Sequence, residues 1–229
     1  LKGENLKDTI ASQDNKFYKI LKKLDKKKYR DENNIFKAEG EKFLKENINF
    51  TKIIVMESKY KYFEDKYNIN QFNNLTILKD ELFEEISNQE TSQGVIVLYS
   101  KSLTSINEIK GDVVILDDVQ DPGNIGTIIR TMEATAFKNL ILTKGSVDVY
   151  NPKTVRATMG GIFKLNIIYE TPENIIKFLK EDNYQVISTL LDETSINYDD
   201  VILKEKNAYI FGNEGHGITE IFVNSTDVK

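Results

Sequence analysis

Two segments of this 229-residue chain gather side chains able to bind and orient a polar ligand. The first runs Leu116-Asp-Asp-Val-Gln-Asp-Pro-Gly-Asn124 and continues through Ile-Gly-Thr-Ile-Ile to Arg130. An apolar strand ends, a Pro-Gly turn follows and a helix begins near Asn124. Free helix-terminal N–H groups and polar side chains therefore meet at the strand's carboxyl end. Arg130 follows about two helical turns later, close to the same face. Only Arg30, Arg130 and Arg156 are arginines among the 31 Lys and Arg residues, so the planar fork that grips phosphate with two donors is used sparingly. Taken alone, the segment also fits a capped helix bearing a surface arginine.

The second segment is Tyr209-Ile-Phe-Gly-Asn-Glu-Gly-His-Gly-Ile218, a strand entering a glycine-rich turn. It has neither the G-x-G-x-x-G order nor the Gly-Lys-Ser/Thr of a phosphate loop. Three glycines permit close backbone approach to a ligand, and Glu214 among them could orient a hydroxyl or a cation. His216, the single imidazole, reads as a solvent-exposed spacer, because two flanking glycines do not pre-orient it. A third candidate is basic: Lys16, Lys19, Lys22, Lys23, Lys26, Lys27, Lys28 and Arg30 on one helix, opposed only by Asp25 and interleaved with Phe17, Tyr18 and Tyr29. That pattern suits a nucleic-acid backbone or a solvated lysine face equally.

These residues need a scaffold, and the composition indicates which. The chain holds 36 acids and a net charge of -5, yet residues 1–110 carry 20 cations and 18 anions, whereas residues 111–229 carry 11 and 18. Nine of the 12 glycines and all three prolines also fall in the second part, as tight turns of an α/β sheet require. The expectation is a domain over 1–100, a polar linker over 101–110 and a second domain over 111–229. Strands are expected at 35–38, 51–56, 75–78 and 94–98, then at 112–116, 139–142, 165–168, 185–189 and 208–211. Helices are expected at 14–24, 41–46, 60–67, 80–86, 125–135, 152–158, 172–181 and from 217 onward. Near-continuous apolar strands such as Val113 to Leu116 suit a parallel sheet covered on both faces. The absence of cysteine and the single histidine exclude a Cys/His zinc site, a thiol nucleophile and disulfides. No apolar run approaches the ~20 residues that cross a bilayer, and the expected compartment is the cytoplasm.

Taken together, the residues resemble the SpoU/TrmH family of S-adenosyl-L-methionine-dependent RNA 2′-O-ribose methyltransferases, within the SPOUT superfamily. Asn124-Ile-Gly-Thr-Ile-Ile-Arg130 matches the first motif and Ile210-Phe-Gly-Asn-Glu-Gly-His-Gly-Ile218 the second. Lys144 to Gly160 fits as well, and Ser12 to Arg30 with Phe36-Lys-Ala-Glu-Gly40 resembles the substrate-binding domain fused ahead of the catalytic one. The resemblance implies an α/β protein: a knotted parallel-sheet catalytic domain of SPOUT type preceded by a small ribosomal-protein-like α/β sandwich. It implies a homodimer whose active site is completed across the subunit boundary. Asn124, Arg130 and Glu214 would be catalytic, with Glu214 organising Arg130 and the ribose. Thr189, Leu190, Gly212, Asn213 and Gly215 would bind the cofactor. Lys22, Lys23, Lys27, Lys28, Arg30 and Arg156 would face RNA, and no metal is implied. The substrate expected is 23S rRNA, with a tRNA as the alternative; a non-catalytic RNA-binding module of the same fold is the rival of another class. The family's third motif would begin where the sequence stops at Asp227-Val-Lys229. A chain lacking it is expected to lose cofactor affinity, which calorimetry would test.

Overall fold

The structure, a computed structural model, describes residues 9–45, 50–101 and 104–229. It divides into two compact units: residues 1–101 with 150–156, and residues 102–149 with 157–229.

In the first unit the chain order is β1 (Thr9–Ile10), α1 (Lys16–Lys23), α2 (Lys27–Asn33), β2 (Ile35–Glu39), α3 (Lys42–Lys45), β3 (Phe50–Met56), α4 (Tyr60–Tyr67), β4 (Leu75–Leu78), α5 (Asp80–Ile86) and β5 (Val95–Ser100). The strands form one mixed sheet in the order β1-β4-β3-β5-β2, with β3 and β2 antiparallel to β5 and the other pairs parallel. The two-residue β1 had no counterpart among the expected strands, since so short a stretch carries no periodicity. On α1 and at its C-cap, Tyr18, Leu21 and Leu24 recur every third residue and are buried with Ile54, Leu78, Phe83 and Ile96. Each leucine, isoleucine or phenylalanine among them, taken from water, contributes roughly 1.5–3 kcal/mol. The helix is capped by Asn15, whose Oδ1 accepts the N–H groups of Phe17 and Tyr18.

The single basic helix expected through Arg30 is a correction. The chain turns at Leu24–Lys26 and restarts as α2, which ends on Asn34 in the left-handed region at φ 53°. Glu46 of the expected helix 41–46, and residues 102 and 103 of the expected linker, lie outside the described residues. Of that linker, Lys101 groups with the first unit and residues 104–110 are built into the second: Ser105 and Glu108 form a capping box, and Ile109 is buried with Val113 and Ile115.

The second unit continues with β6 (Val113–Leu116), α6 (Pro122–Ala134), β7 (Asn139–Thr143), α7 (Pro152–Ala157), β8 (Asn166–Glu170), α8 (Pro172–Glu181), β9 (Gln185–Ser188), β10 (Asn207–Phe211) and α9 (Glu220–Val223), residues 150–156 of this stretch grouping with the first unit. Its five strands are all parallel, ordered β8-β7-β6-β10-β9. β6 and β7 are buried along their whole length, as a sheet covered on both faces demands. α6 and α8 each start on a capping side chain followed by proline, Asp121-Pro122 and Thr171-Pro172. The helix expected from Gly217 onward is only the four-residue α9, because Gly217 is left-handed at φ 70° and Thr219 takes the N-cap position before Glu220. Strand order reverses between β6 and β10, and open parallel sheets form their ligand crevice at such a point, beyond the carboxyl ends of the strands.

Candidate functional site

The loops leaving β6 and β10 meet at that crevice. β10 pairs with β6 from Ala208–Val113 to Phe211–Leu116, and the Asp117 N–H extends the ladder to the Phe211 carbonyl at 2.8 Å. Both loops therefore start level. From β6 the chain runs through Asp117 and Asp118, the latter left-handed at φ 56°, to Asp121. The Asp121 Oδ1 accepts the Asn124 N–H at 2.9 Å and so fixes the first turn of α6. From β10 the chain closes on itself: Asn213 and Gly217 exchange N–H···O bonds of 2.8 and 2.9 Å. The Asn213 Oδ1 accepts the N–H groups of Gly215 and His216, and its Nδ2 donates to the Asp118 carbonyl at 2.9 Å. A Cβ on Gly212 would lie 2.2 Å from the Gly217 carbonyl carbon, so only glycine lets this ring close. The buried Asp117 carboxylate anchors its far side, accepting the Thr219 N–H at 2.7 Å.

Glu214 sits at the tip of the ring. Its Oε1 accepts from Asn124 Nδ2 at 2.7 Å, joining residues 90 positions apart. The Asn124 amide, with the backbone N–H groups of Glu214, Asp121 and Gln120, holds the Glu214 carboxyl below the usual carboxylate range. An ionised carboxylate fixed by neutral amides keeps lone pairs for a hydroxyl or a cation. Arg130 is exposed on α6, and no hydrogen bond or ion pair to Glu214 occurs among the described residues.

Beside this ring lies a cleft of about 890 Å³. Thr189, Leu190, Asn213 and Gly215 line it, together with His216, Ile218, Tyr198 and Val228. The Thr189 N–H donates to the Ile210 carbonyl at 3.1 Å, which carries the β9 strand end into the wall. Gly212 stands behind the wall rather than in it. Volume and composition suit a nucleoside-sized ligand held by backbone groups between apolar side chains. Among the described residues no His, Cys, Asp and Glu cluster suited to a metal occurs, and no helix is long and apolar enough to cross a membrane.

A sequence profile of the SpoU rRNA Methylase family matches residues 112–229, just over half of the chain and all of this site. The chain belongs to the SpoU rRNA methylase family. In this SpoU methylase a second profile, an MRM3-like substrate binding domain, matches residues 15–97. The 23S rRNA (guanosine(2553)-2'-O)-methyltransferase RlmP of Bacillus subtilis (strain 168) is 29% identical over 223 residues, covering 96% of this chain and 88% of that protein. The crystal structure of an AdoMet-bound rRNA methyltransferase from Sinorhizobium meliloti superposes with a TM-score of 0.83 at 25% identity, over 96% of this chain and 87% of that one. The SpoU methyltransferase AviRb from Streptomyces viridochromogenes shares the fold, with a TM-score of 0.79 at 19% identity over 93% and 87% of the two chains.

The cations of the SpoU methylase's first unit need correction. Arg30 does not face solvent: it is 2% exposed, and its Nη1 donates to the Leu24 and Asp25 carbonyls at 2.6 and 2.7 Å. Those carbonyls end α1 and lack helical partners, which is why a guanidinium is drawn inward. Lys22 is exposed and paired with Glu85 at 2.8 Å; Lys23, Lys27 and Lys28 are also exposed around the turn, Lys28 Nζ lying 3.8 Å from Glu32 Oε1. Arg156, also exposed, belongs to the 150–156 segment of the first unit, its Nη1 reaching the Asn88 carbonyl at 3.5 Å. Sequence reasoning missed the anchors Asp117, Asp118 and Asp121. Their signal was an acidic pair directly after an apolar strand, followed by an Asp-Pro helix start.

Proposed function

We propose that this SpoU methylase transfers the methyl group of S-adenosyl-L-methionine to a ribose 2′-hydroxyl of 23S rRNA. The observation that carries the reading is the Asn124–Glu214 pair fixed at the rim of the cleft beyond β6 and β10. The names of the relatives support it, since RlmP of Bacillus subtilis is a 23S rRNA 2'-O-methyltransferase and the Sinorhizobium meliloti structure is AdoMet bound.

The cleft fits the cofactor on its own terms. Its volume lies within the range of small-molecule sites, and its walls offer backbone groups near Thr189, Leu190, Asn213 and Gly215 beside the apolar Ile218 and Val228. When bound, S-adenosyl-L-methionine supplies an electrophilic methyl group on a sulfonium sulfur. The residues of the chain then have to bring a poor nucleophile into line and help it lose a proton. Glu214, ionised and held by Asn124, orients the ribose. Arg130 engages the target phosphate and 2′-hydroxyl; a guanidinium offers five N–H donors and no acceptor, which makes it an orienting and charge-stabilising group rather than a base. Its exposure away from Glu214 supports a site completed by a second protomer, hence a homodimer, and the parallel sheet order supports a knotted catalytic domain. In this reading the enzyme works on ribosomal RNA in the cytoplasm.

The test is transfer of labelled methyl from S-adenosyl-L-methionine to 23S rRNA, comparing the wild type with Arg130→Ala. The variant is expected to lose at least ~100-fold in rate, as removal of a transition-state donor does; equal activity would remove Arg130 from the mechanism. RNA binding by a wild type that has no cofactor affinity would favour a non-catalytic module instead.

A further inference from the structure

We infer that Thr143 and Ser146, two buried hydroxyl residues at the end of β7, are positioning residues for methyl transfer: they shape the β6–α6 loop so that the backbone N–H groups of Gln120 and Asp121 bear on the Glu214 carboxylate. The inference rests on the reading of Glu214 as the group that orients the ribose, and deepens it by assigning what holds the donors of that carboxylate in place.

Past Leu116, β6 leaves its two neighbours differently. On the β10 side the backbone ladder runs on for one more residue, through the Asp117 N–H. On the β7 side hydroxyls take over from the ladder. Thr143 Oγ1 accepts the Asp118 N–H at 2.9 Å. Ser146 Oγ accepts the Val119 N–H at 3.2 Å and donates to the Leu116 carbonyl at 3.2 Å, so one hydroxyl serves both ends of the turn. The Val147 N–H adds a bond to the Val119 carbonyl at 3.0 Å. Thr143 and Ser146 are 3% and 5% exposed, so the groups they serve have little water to turn to.

These bonds hold the chain in a conformation it would not keep by itself. Asp118 has φ 56°, a left-handed backbone that a residue other than glycine keeps only where its surroundings impose it. Its N–H is fixed by Thr143 and its carbonyl by Asn213 Nδ2 at 2.9 Å. Room for its side chain comes from Gly145, where a Cβ would lie 2.2 Å from Asp118 Oδ1. The same carboxylate accepts from Gln120 Nε2 at 3.2 Å, which orients the chain two residues on. Gln120 and Asp121 then present the N–H groups that, with the Asn124 amide, hold the Glu214 carboxyl below its ordinary range. Neither hydroxyl bonds Glu214 among the described residues; each acts on it through the loop.

The experiment compares the whole wild-type chain with Thr143→Val/Ser146→Ala, which removes both hydroxyls at nearly constant shape, and with Thr143→Ser, which keeps one in place. Three quantities are read: the Glu214 titration by carbon-detected NMR, kcat and the KM for S-adenosyl-L-methionine in transfer to 23S rRNA, and the acid limb of the kcat–pH profile. In the double variant Glu214 is expected to titrate nearer 4.5 and the acid limb to rise with it, because a carboxylate that loses N–H donors protonates at higher pH. Its kcat should fall about 10- to 100-fold, the scale of a misplaced reacting group, with KM changed by less than about threefold. Thr143→Ser should keep the wild-type values. Thr143→Val alone, measured beside them, carries the same test if the double variant does not fold. Wild-type titration and kcat in the folded variants would overturn the inference. A fall in kcat with an unmoved titration and acid limb would overturn it too, since a structural role alone gives that result. So would a shifted titration at wild-type kcat, which would leave the donors without a part in methyl transfer. A wild type that transfers no methyl group would sink the enzymatic reading, whereas a shifted Glu214 titration in the variants would still support the hold of the two hydroxyls on the loop.

Discussion

Glu214 is held by amides rather than by an arginine, and that choice has a measurable consequence. Its folded-state pKa is depressed, so it stays ionised until the pH falls below the ordinary glutamate value of 4.5. Asn124→Ala removes the largest cause, and the Glu214 carboxyl is expected to titrate closer to 4.5, which carbon-detected NMR of the side chain would read. An unchanged titration would mean that the backbone N–H groups suffice. A second residue-scale expectation concerns Thr154, whose buried Oγ1 is without a hydrogen-bond partner among the described residues. Thr154→Val keeps the shape and removes the unpaired hydroxyl, so denaturant unfolding should show a gain of about 1 kcal/mol. Asn124 and Glu214 were legible as motif residues because their types and immediate neighbours announce the chemistry. Their pairing was not, since 90 intervening positions hide it. Arg30 misled for a related reason: charge in a sequence shows neither burial nor a carbonyl waiting to be capped.

At the scale of elements, two glycines bear most of the geometry. A Cβ on Gly126 of α6 would meet the Ala157 Cβ at 2.4 Å and the Ala157 carbonyl carbon at 2.9 Å. Alanine would ordinarily favour a helix interior by up to about 1 kcal/mol. Gly126→Ala is nevertheless expected to destabilise by roughly 1–3 kcal/mol, because overpacking outweighs propensity here. Gly212→Ala forces the ring open and should abolish cofactor affinity in calorimetry while leaving the first unit's melting unchanged. Retained affinity would show that the ring can reshape without cost. Strands were the most readable elements: continuous apolar runs bounded by polar turns located nine of them within one or two residues. The turn at Leu24–Lys26 between α1 and α2 was not readable, because lysines continue across it and no glycine or proline marks the break.

For the whole molecule, acid is the discriminating condition. In the first unit the Lys66 ammonium and the Tyr67 and Tyr62 hydroxyls converge on Glu41 and bring its pKa down to about 2. A depressed folded pKa contributes stability above the unfolded value of 4.5 that is lost as pH falls toward about 2. In the second unit Asp192 is held well below its usual range by Thr194 and Lys229. Glu41→Gln should therefore flatten the fall of melting temperature across that acid window for the first unit alone, which calorimetric scans at several pH values would reveal. A parallel loss in both units would indicate a single cooperative transition.

The strand order β8-β7-β6-β10-β9 also sets a timetable. Of the described strands β10 is made last, yet it must slide between β6 and β9, which the ribosome delivers earlier. Until then β6 lacks the neighbour on its β10 side, and Asn124 has nothing to hold. Non-local pairings of this kind are slow and leave edges open to wrong partners. A nascent chain arrested before residue 207 would thus hold nine of the ten described strands and, at its chemical centre, no Asn124–Glu214 pair.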